Sequence, residues 1–306
     1  MDRRTLLIDF ADFWPNFDKT DNWIWNLLTE RFDLVLSDQP QMVIYSCYGN
    51  RHVGHRGVRV FISHENRGWG FSRCDWAITS DYVESPRHLR VPLWATMIPS
   101  GAGRVAPLGP AVADRGFAAT VVSNGNSATR ERVHDLLDGY REVASGGRHR
   151  NNVGGPVADK QAFIGQYKFT LAFENSSYPG YTTEKLLHAL QANTVPIYWG
   201  DPYVGRDFNV KRFVNCHDFA DEAALLQRII ELDQDDDQYR SMLAEPWFNN
   251  GVLPECADPN RILDFFDRVA DDKSTPVAQR RWHPRTLATA ARDRWAIRQR
   301  FFGKTT

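Results

Sequence analysis

Two α/β domains are what this 306-residue sequence predicts, and three observations predict them. Short apolar runs alternate with polar or helical stretches through the first part of the chain, the pattern of strands in an α/β layer. The stretch 99–114 then loses periodicity and collects Gly101, Gly103, Pro107, Gly109 and Pro110, the composition of a linker. Beyond it, residues 167–202 place a strand, a polar loop, a charged helix start and a second strand in succession. Such a unit forms a parallel crossover whose ligands bind outside the carboxyl ends of the strands.

Strands are expected at 5–10, 34–36, 42–47, 59–62 and 76–78. Asp21 can cap a helix reaching Phe32, in which Ile24, Leu27 and Leu28 form an apolar stripe. After the linker come a strand at 117–122 and a helix at 129–140. In the 167–202 unit, Phe169, Leu171 and Phe173 supply the first strand. Thr182 or Thr183 caps a helix whose Leu186, Leu187 and Leu190 face a core, and the next strand is 194–199. Further helices are expected at 222–232, 237–243, 260–271 and 286–301. The division expected is 1–110 and 111–306, with the terminal helix packing back on the first domain.

A content of 42% hydrophobic and 12% aromatic residues fills two cores. The net charge of −1 removes the case for general attraction to nucleic acid. Cys47, Cys74, Cys216 and Cys256 are widely spaced without a CxxC pair, which supports neither a zinc knuckle nor a redox motif. The apolar run near the N-terminus is broken by Asp9 and Asp12, too soon for a signal segment or a membrane span. A cytoplasmic protein is expected. The basic segment holding Arg285, Arg292, Arg294, Arg298, Arg300 and Lys304 either docks across the domains, the favoured reading, or touches anionic lipid on the inner membrane face. The run DQDDD at 233–237 looks superficially like an Asp-x-Asp metal motif and is expected to be a solvated cap and turn between helices.

Glu184 and Lys185 fall in the first turn of the expected helix, where free amides and the helix dipole amount to about half a positive charge. A phosphate fits there, with Lys185 adding a charge-assisted contact and Glu184 suited to ribose hydroxyls. The spacing equally allows a Glu that favours the helix start and a solvated Lys.

This stretch closely resembles the signature of the α-1,3/α-1,4-fucosyltransferases, which transfer fucose from GDP-fucose to N-acetylglucosamine-containing glycans. Tyr167, Lys168, Phe169, Phe173, Glu174, Asn175, Tyr181, Glu184, Lys185, Pro196 and Gly200 carry the resemblance. VSNGNSATRER at 122–132, SGGRHRNNVGGP at 145–156 and VFISHEN at 60–66 resemble further blocks of that family in the same order, so that the similarity covers 58–220.

The resemblance implies a GT-B fold, two Rossmann-like domains facing a cleft. It implies inverting transfer from GDP-fucose to the 3- or 4-hydroxyl of GlcNAc in an acceptor such as a Lewis-type lipopolysaccharide, with no obligatory metal or cofactor. Glu65 then acts as the base. Arg130 and Lys185 meet the diphosphate, Asn175 and Tyr181 fix the fucose and diphosphate, Glu184 takes the ribose, and Asn124 with Asn126 orients the turn beneath. From spacing alone, Arg130 could equally pair with Glu131 or Asp135. Glu174 has two readings, a sugar contact or a buried brace. Trp69, in the loop GWGF, is the candidate acceptor platform, with His64 a second acceptor-side candidate and a rival base. Trp14, Trp23, Trp25, Trp76 and Trp94 are expected mostly in the core. Two competing readings are a transferase with a different donor sugar and a non-catalytic glycan-binding module. The joint presence of Glu65, Arg130, Glu184 and Lys185 argues against the second.

Overall fold

The computed structural model describes residues 3–98 and 114–279. Among these, the residues up to Val91 and from Glu255 onward form one compact unit, and Pro92–Pro254 forms the other. By packing, the first unit ends at Val91, and the chain returns to it near its end. Trp94 explains the first point: it is 0% exposed and packs on Phe208 and Phe248 of the second unit, at 4.7 and 5.5 Å between ring centres.

The first unit is built on β1 (Arg4–Ala11), β2 (Phe32–Leu36), β3 (Met42–Tyr45), β4 (Val58–Ser63), β5 (Trp76–Thr79) and β6 (His88–Arg90), all parallel, in the order β2-β1-β3-β4-β5-β6. Every residue of β3 and β5 is buried, as a parallel sheet covered on both faces requires. Helix α1 (Trp23–Leu28) is shorter than expected. Asn22, not Asp21, caps it by accepting the Trp25 N–H at 3.0 Å, and Phe32 already belongs to β2.

The second unit comprises β7 (Gly116–Thr120), α2 (Ala128–Asp138), β8 (Val143–Ser145), α3 (Lys160–Ile164), β9 (Tyr167–Phe173), α4 (Glu184–Gln191), β10 (Val195–Trp199), β11 (Val214–Asn215), α5 (Glu222–Gln234) and α6 (Asp236–Ala244). Its parallel sheet runs β11-β10-β9-β7-β8. Phe117, Phe169, Leu171 and Ile197 meet Leu225, Ile229 and Tyr239 in its core.

Helix α7 (Pro259–Asp271) buries Ile262, Leu263, Phe265, Phe266 and Val269 within the first unit. Phe265 meets Trp76 edge-on at 5.4 Å, and Arg31 bonds Asp264 and Asp267 at 2.6 and 2.7 Å. The expected terminal helix at 286–301 lies outside the described residues. Among the described residues no helix is long and apolar enough to cross a membrane.

The acidic run divides its labour. Asp235 caps α6, but Asp233 is buried rather than solvated, accepting from Tyr140 at 3.1 Å and Arg141 at 2.7 Å.

Strand order sets where ligands can sit. In the first sheet β1 is followed by β2 on one side while β3 and its successors extend on the other, so the order reverses between β1 and β3. In the second the reversal falls between β7 and β9. Loops at the carboxyl ends splay apart at such a point and leave a crevice.

Candidate active site

At the second reversal, the loop after β9 is organised by Glu174, which is 0% exposed. Its Oε1 accepts the Thr183 N–H at 2.6 Å, and its Oε2 accepts the Thr183 hydroxyl at 2.7 Å and the Lys185 ammonium at 2.9 Å. Gly200 makes room for this carboxylate, since a Cβ there would stand 2.4 Å from Glu174 Cγ. Burial pushes the Glu174 carboxyl above its ordinary range, against the pull of Lys185 and Thr183. Of the two readings, the brace is what the geometry gives: both oxygens are engaged inside the loop.

Thr183 occupies the N-cap position of α4 without a side-chain cap bond, because its hydroxyl goes to Glu174. Lys185 also donates to Thr183 Oγ1 at 2.8 Å and stands 3.8 Å from Glu184. Its charge is therefore matched by two carboxylates rather than free. Burial pushes the Glu184 carboxyl up, but Lys185, the helix backbone and Lys160 outweigh it and hold it below its ordinary range. Lys160, at the start of α3, contacts His188 Nδ1 at 3.2 Å and joins this cluster without any signal in the sequence. Asn175 is exposed on the loop, while Tyr181 is buried.

Arg130 lies after the neighbouring strand, β7. Ser127 caps α2 by accepting the Arg130 N–H at 3.5 Å. The guanidinium is only 2% exposed. Its Nη2 donates to the Asn124 carbonyl, whose residue is fixed by an Asn126 N–H to Oδ1 bond of 2.9 Å. Nε and Nη1 have no hydrogen-bond partner, and the Glu131 carboxylate stays 3.9 Å from Nε. That carboxylate is occupied by His149 at 2.9 Å and Arg150 at 3.2 Å. The recess that Arg130 lines holds about 10 Å³, room for roughly one water, so an anion reaches the guanidinium only if side chains such as His149 and Arg150 yield.

The first unit supplies Glu65, exposed just beyond β4. Ser63 Oγ accepts its N–H at 3.2 Å, and Tyr48 donates its hydroxyl to Glu65 Oε1 at 3.0 Å. Burial and Glu65 together push the Tyr48 phenol up to about 12. His64 is half-buried. Its Nε2 is sealed from solvent, its ring lies 5.9 Å from Trp23, and burial holds it down at about 4.

Two cavities open at the first reversal point. The smaller, about 420 Å³, is lined by Tyr45, Tyr48, His52, Phe61 and Trp69 among others. Trp69 is clamped between Phe61 and His88, at 6.3 and 5.2 Å, and its Nε1 donates to Asp81 at 2.8 Å. The larger, about 700 Å³, is bounded by the 9–17 loop and by Tyr48, Gly49, Asn50 and Arg51. Trp14 stands on its wall 50% exposed, contrary to the core position expected of it, edge-on to Phe13, Phe17 and Tyr48. A half-exposed indole in a run of Phe and Trp looks like core in sequence, so its placement had no local signal.

Comparisons with known proteins cover both regions. The Alpha-(1,3)-fucosyltransferase FucT N-terminal domain matches residues 8–97, and the Glycosyltransferase family 10 (fucosyltransferase) C-term matches 113–249. Alpha-(1,3)-fucosyltransferase FucT of Helicobacter pylori is 33% identical over 316 residues, 87% of this chain and 66% of that protein. The 3-galactosyl-N-acetylglucosaminide 4-alpha-L-fucosyltransferase FUT3 of Bos taurus is 39% identical over 121 residues, 38% of this chain and 33% of that one. The chain thus spans two thirds or less of the length of these curated relatives. A crystal structure of an alpha1,3-fucosyltransferase with GDP-fucose superposes with a TM-score of 0.77 at 27% identity, covering 90% of this chain and 93% of that one. Another of alpha1,3-fucosyltransferase gives a TM-score of 0.80, also at 27% identity, over 91% and 93%. Two parallel α/β units of GT-B type, carrying both parts of the fucosyltransferase signature, establish that this chain belongs to the glycosyltransferase family 10 fucosyltransferases.

Proposed function

We propose that the protein transfers L-fucose from GDP-fucose to the 3- or 4-hydroxyl of GlcNAc in a glycan acceptor, with inversion at the fucose anomeric carbon. The observation that carries this reading is Arg130, a buried guanidinium with two unpartnered nitrogens at the strand-order reversal of the second unit. A buried cation without a full set of acceptors is costly, and an anionic leaving group supplies them.

In this mechanism Glu65 takes the proton of the acceptor hydroxyl while its oxygen attacks the anomeric carbon. The bond from that carbon to the β-phosphate oxygen breaks, and GDP departs. Negative charge grows on the β-phosphate as it does so, where Arg130 and the amides at the start of α4 stabilise the transition state more than the ground state. Glu174 holds Thr183 and Lys185 in place for this step. Asn175, Tyr181 and Glu184 complete the donor site, and Asn124 shapes the turn that presents Arg130. Trp69 and the aromatic wall around it take the acceptor. The same reading includes action in the cytoplasm.

The test is to incubate the protein with GDP-fucose and EDTA together with type 1 and type 2 disaccharides, then assign the new linkage by NMR. An α-1,3 or α-1,4 fucosyl product is expected. Absence of transfer to every GlcNAc-containing acceptor contradicts the reading.

A further inference from the structure

Between the two cavities of the first unit lies a buried pair that the mechanism above does not use. Asp12, immediately after β1, lines the larger cavity, and His52, in the segment after β3, lines the smaller. Their side chains are 1% and 4% exposed. Asp12 Oδ1 accepts the Arg51 N–H at 2.7 Å, and Oδ2 accepts the His52 N–H at 3.0 Å and meets His52 Nδ1 at 2.6 Å. Asp12 sits at φ 58°, in the left-handed region that only a few residue types tolerate, and these bonds hold it there. Gly49 is required beside it, because a Cβ would stand 2.5 Å from Oδ1. Tyr45 stacks on the imidazole at 3.9 Å and 15°, which fixes the plane of the ring.

The consequence is a single available nitrogen. Nδ1–H donates to Asp12 Oδ2, and Nε2 has no protein partner among the described residues and is not sealed from solvent. Burial holds the ring neutral against the pull of Asp12. A neutral imidazole with its proton on Nδ1 presents Nε2 as an acceptor only. It does so in a cavity of about 420 Å³ whose lining includes the edges of Tyr45, Phe61 and Trp69, room for a sugar ring beside the imidazole.

We infer that His52, oriented by Asp12, is a specificity-determining residue that accepts a hydrogen bond from one hydroxyl of the acceptor glycan lodged against Trp69. This deepens the proposed function and rests on its assignment of the first unit to the acceptor. A site that binds a hydroxyl through a buried acceptor discriminates strongly against a sugar lacking it, because the acceptor is then left unpaired.

The experiment compares wild type with His52→Phe on the preferred disaccharide and its complete set of monodeoxy analogues. In wild type one analogue is expected to lose about tenfold or more in kcat/KM. In His52→Phe the parent and that analogue are expected to react equally, with GDP affinity unchanged. Transfer of the parent at the wild-type rate by His52→Phe, or an unaltered deoxy profile, overturns the inference. Should His52→Phe fail to fold, the wild-type protein labelled with [15N]histidine decides. The His52 Nε2 resonance is expected to move on adding the parent disaccharide and to stay when the critical deoxy analogue is added; a resonance blind to both overturns the inference. Wild type that binds the disaccharide but transfers no fucose refutes the proposed function alone, and the nitrogen resonance still decides the role of His52.

Discussion

The carboxyl edges of the two sheets solve opposite problems. At the second unit's edge the charges are dense and mostly matched: Lys185 lies between Glu174 and Glu184, Glu131 is taken by His149 and Arg150, and Arg130 keeps two buried nitrogens unpartnered. Free volume beside Arg130 is about 10 Å³. At the first unit's edge the walls are aromatic, the cavities hold about 420 and 700 Å³, and Asp12 with His52 forms a buried hydrogen-bonded pair between them. The difference teaches a division by ligand chemistry. Under the proposed function a diphosphate would be met by a largely built electrostatic frame in which side chains such as His149 and Arg150 give way, and a neutral sugar by area and a few directed hydrogen bonds.

Perturbing each edge sharpens that contrast. The largest effect is expected at Glu65. Glu65→Gln removes the proposed base while keeping its shape, and turnover should fall about 10²–10⁴-fold with GDP affinity unchanged, read by steady-state kinetics and calorimetry. A fall confined to KM for the acceptor would break the division by assigning Glu65 to binding. Next is Arg130→Lys, which keeps a charge and loses the forked donor geometry. It should lower kcat/KM for GDP-fucose by about 100-fold, with acceptor KM unmoved.

Glu174→Ala comes third. It strands the Thr183 N–H and leaves Lys185 with Glu184 as its remaining carboxylate, so stability should fall by about 3 kcal/mol in urea titration. An unchanged urea midpoint would show that the frame is not held by this carboxylate.

The mildest perturbation is a change of pH. His64 and His88 in the first unit are both held down at about 4 by burial, against an ordinary value of 6.5. The unfolded chain then binds more protons between these values. Stability is full above 6.5 and declines as the pH falls toward 4, by about 1–2 kcal/mol for each ring at pH 5. Hydrogen exchange at pH 7 and pH 5 should show the first unit loosening at the lower pH. Equal protection at both would mean these rings are not sealed as described.

Much of the second unit was legible in the sequence because its chemistry is local. The strand, loop, helix and strand at 167–202 and the Arg130 helix start follow from adjacent residues, as does, in the first unit, the position of Glu65 after a strand. The role of Glu174 did not, since the bonds that define it reach nine residues on to Thr183 and eleven to Lys185. His64 beside Glu65 reads as reactive in one dimension, yet the fold turns its ring against Trp23. Asp12 and His52, forty residues apart, meet only because β1 and β3 are neighbours. The return of α7 to the first unit depends on pairs such as Arg31 with Asp264 and Asp267, which no local period encodes.

Calorimetric titration of GDP into wild type, Glu65→Gln and Arg130→Gln tests the central division most directly. Glu65→Gln should bind GDP as tightly as wild type, while Arg130→Gln should bind it at least about tenfold more weakly. Equal loss in both variants, or no loss at Arg130, would contradict the assignment of the leaving group to the second unit and of the base to the first.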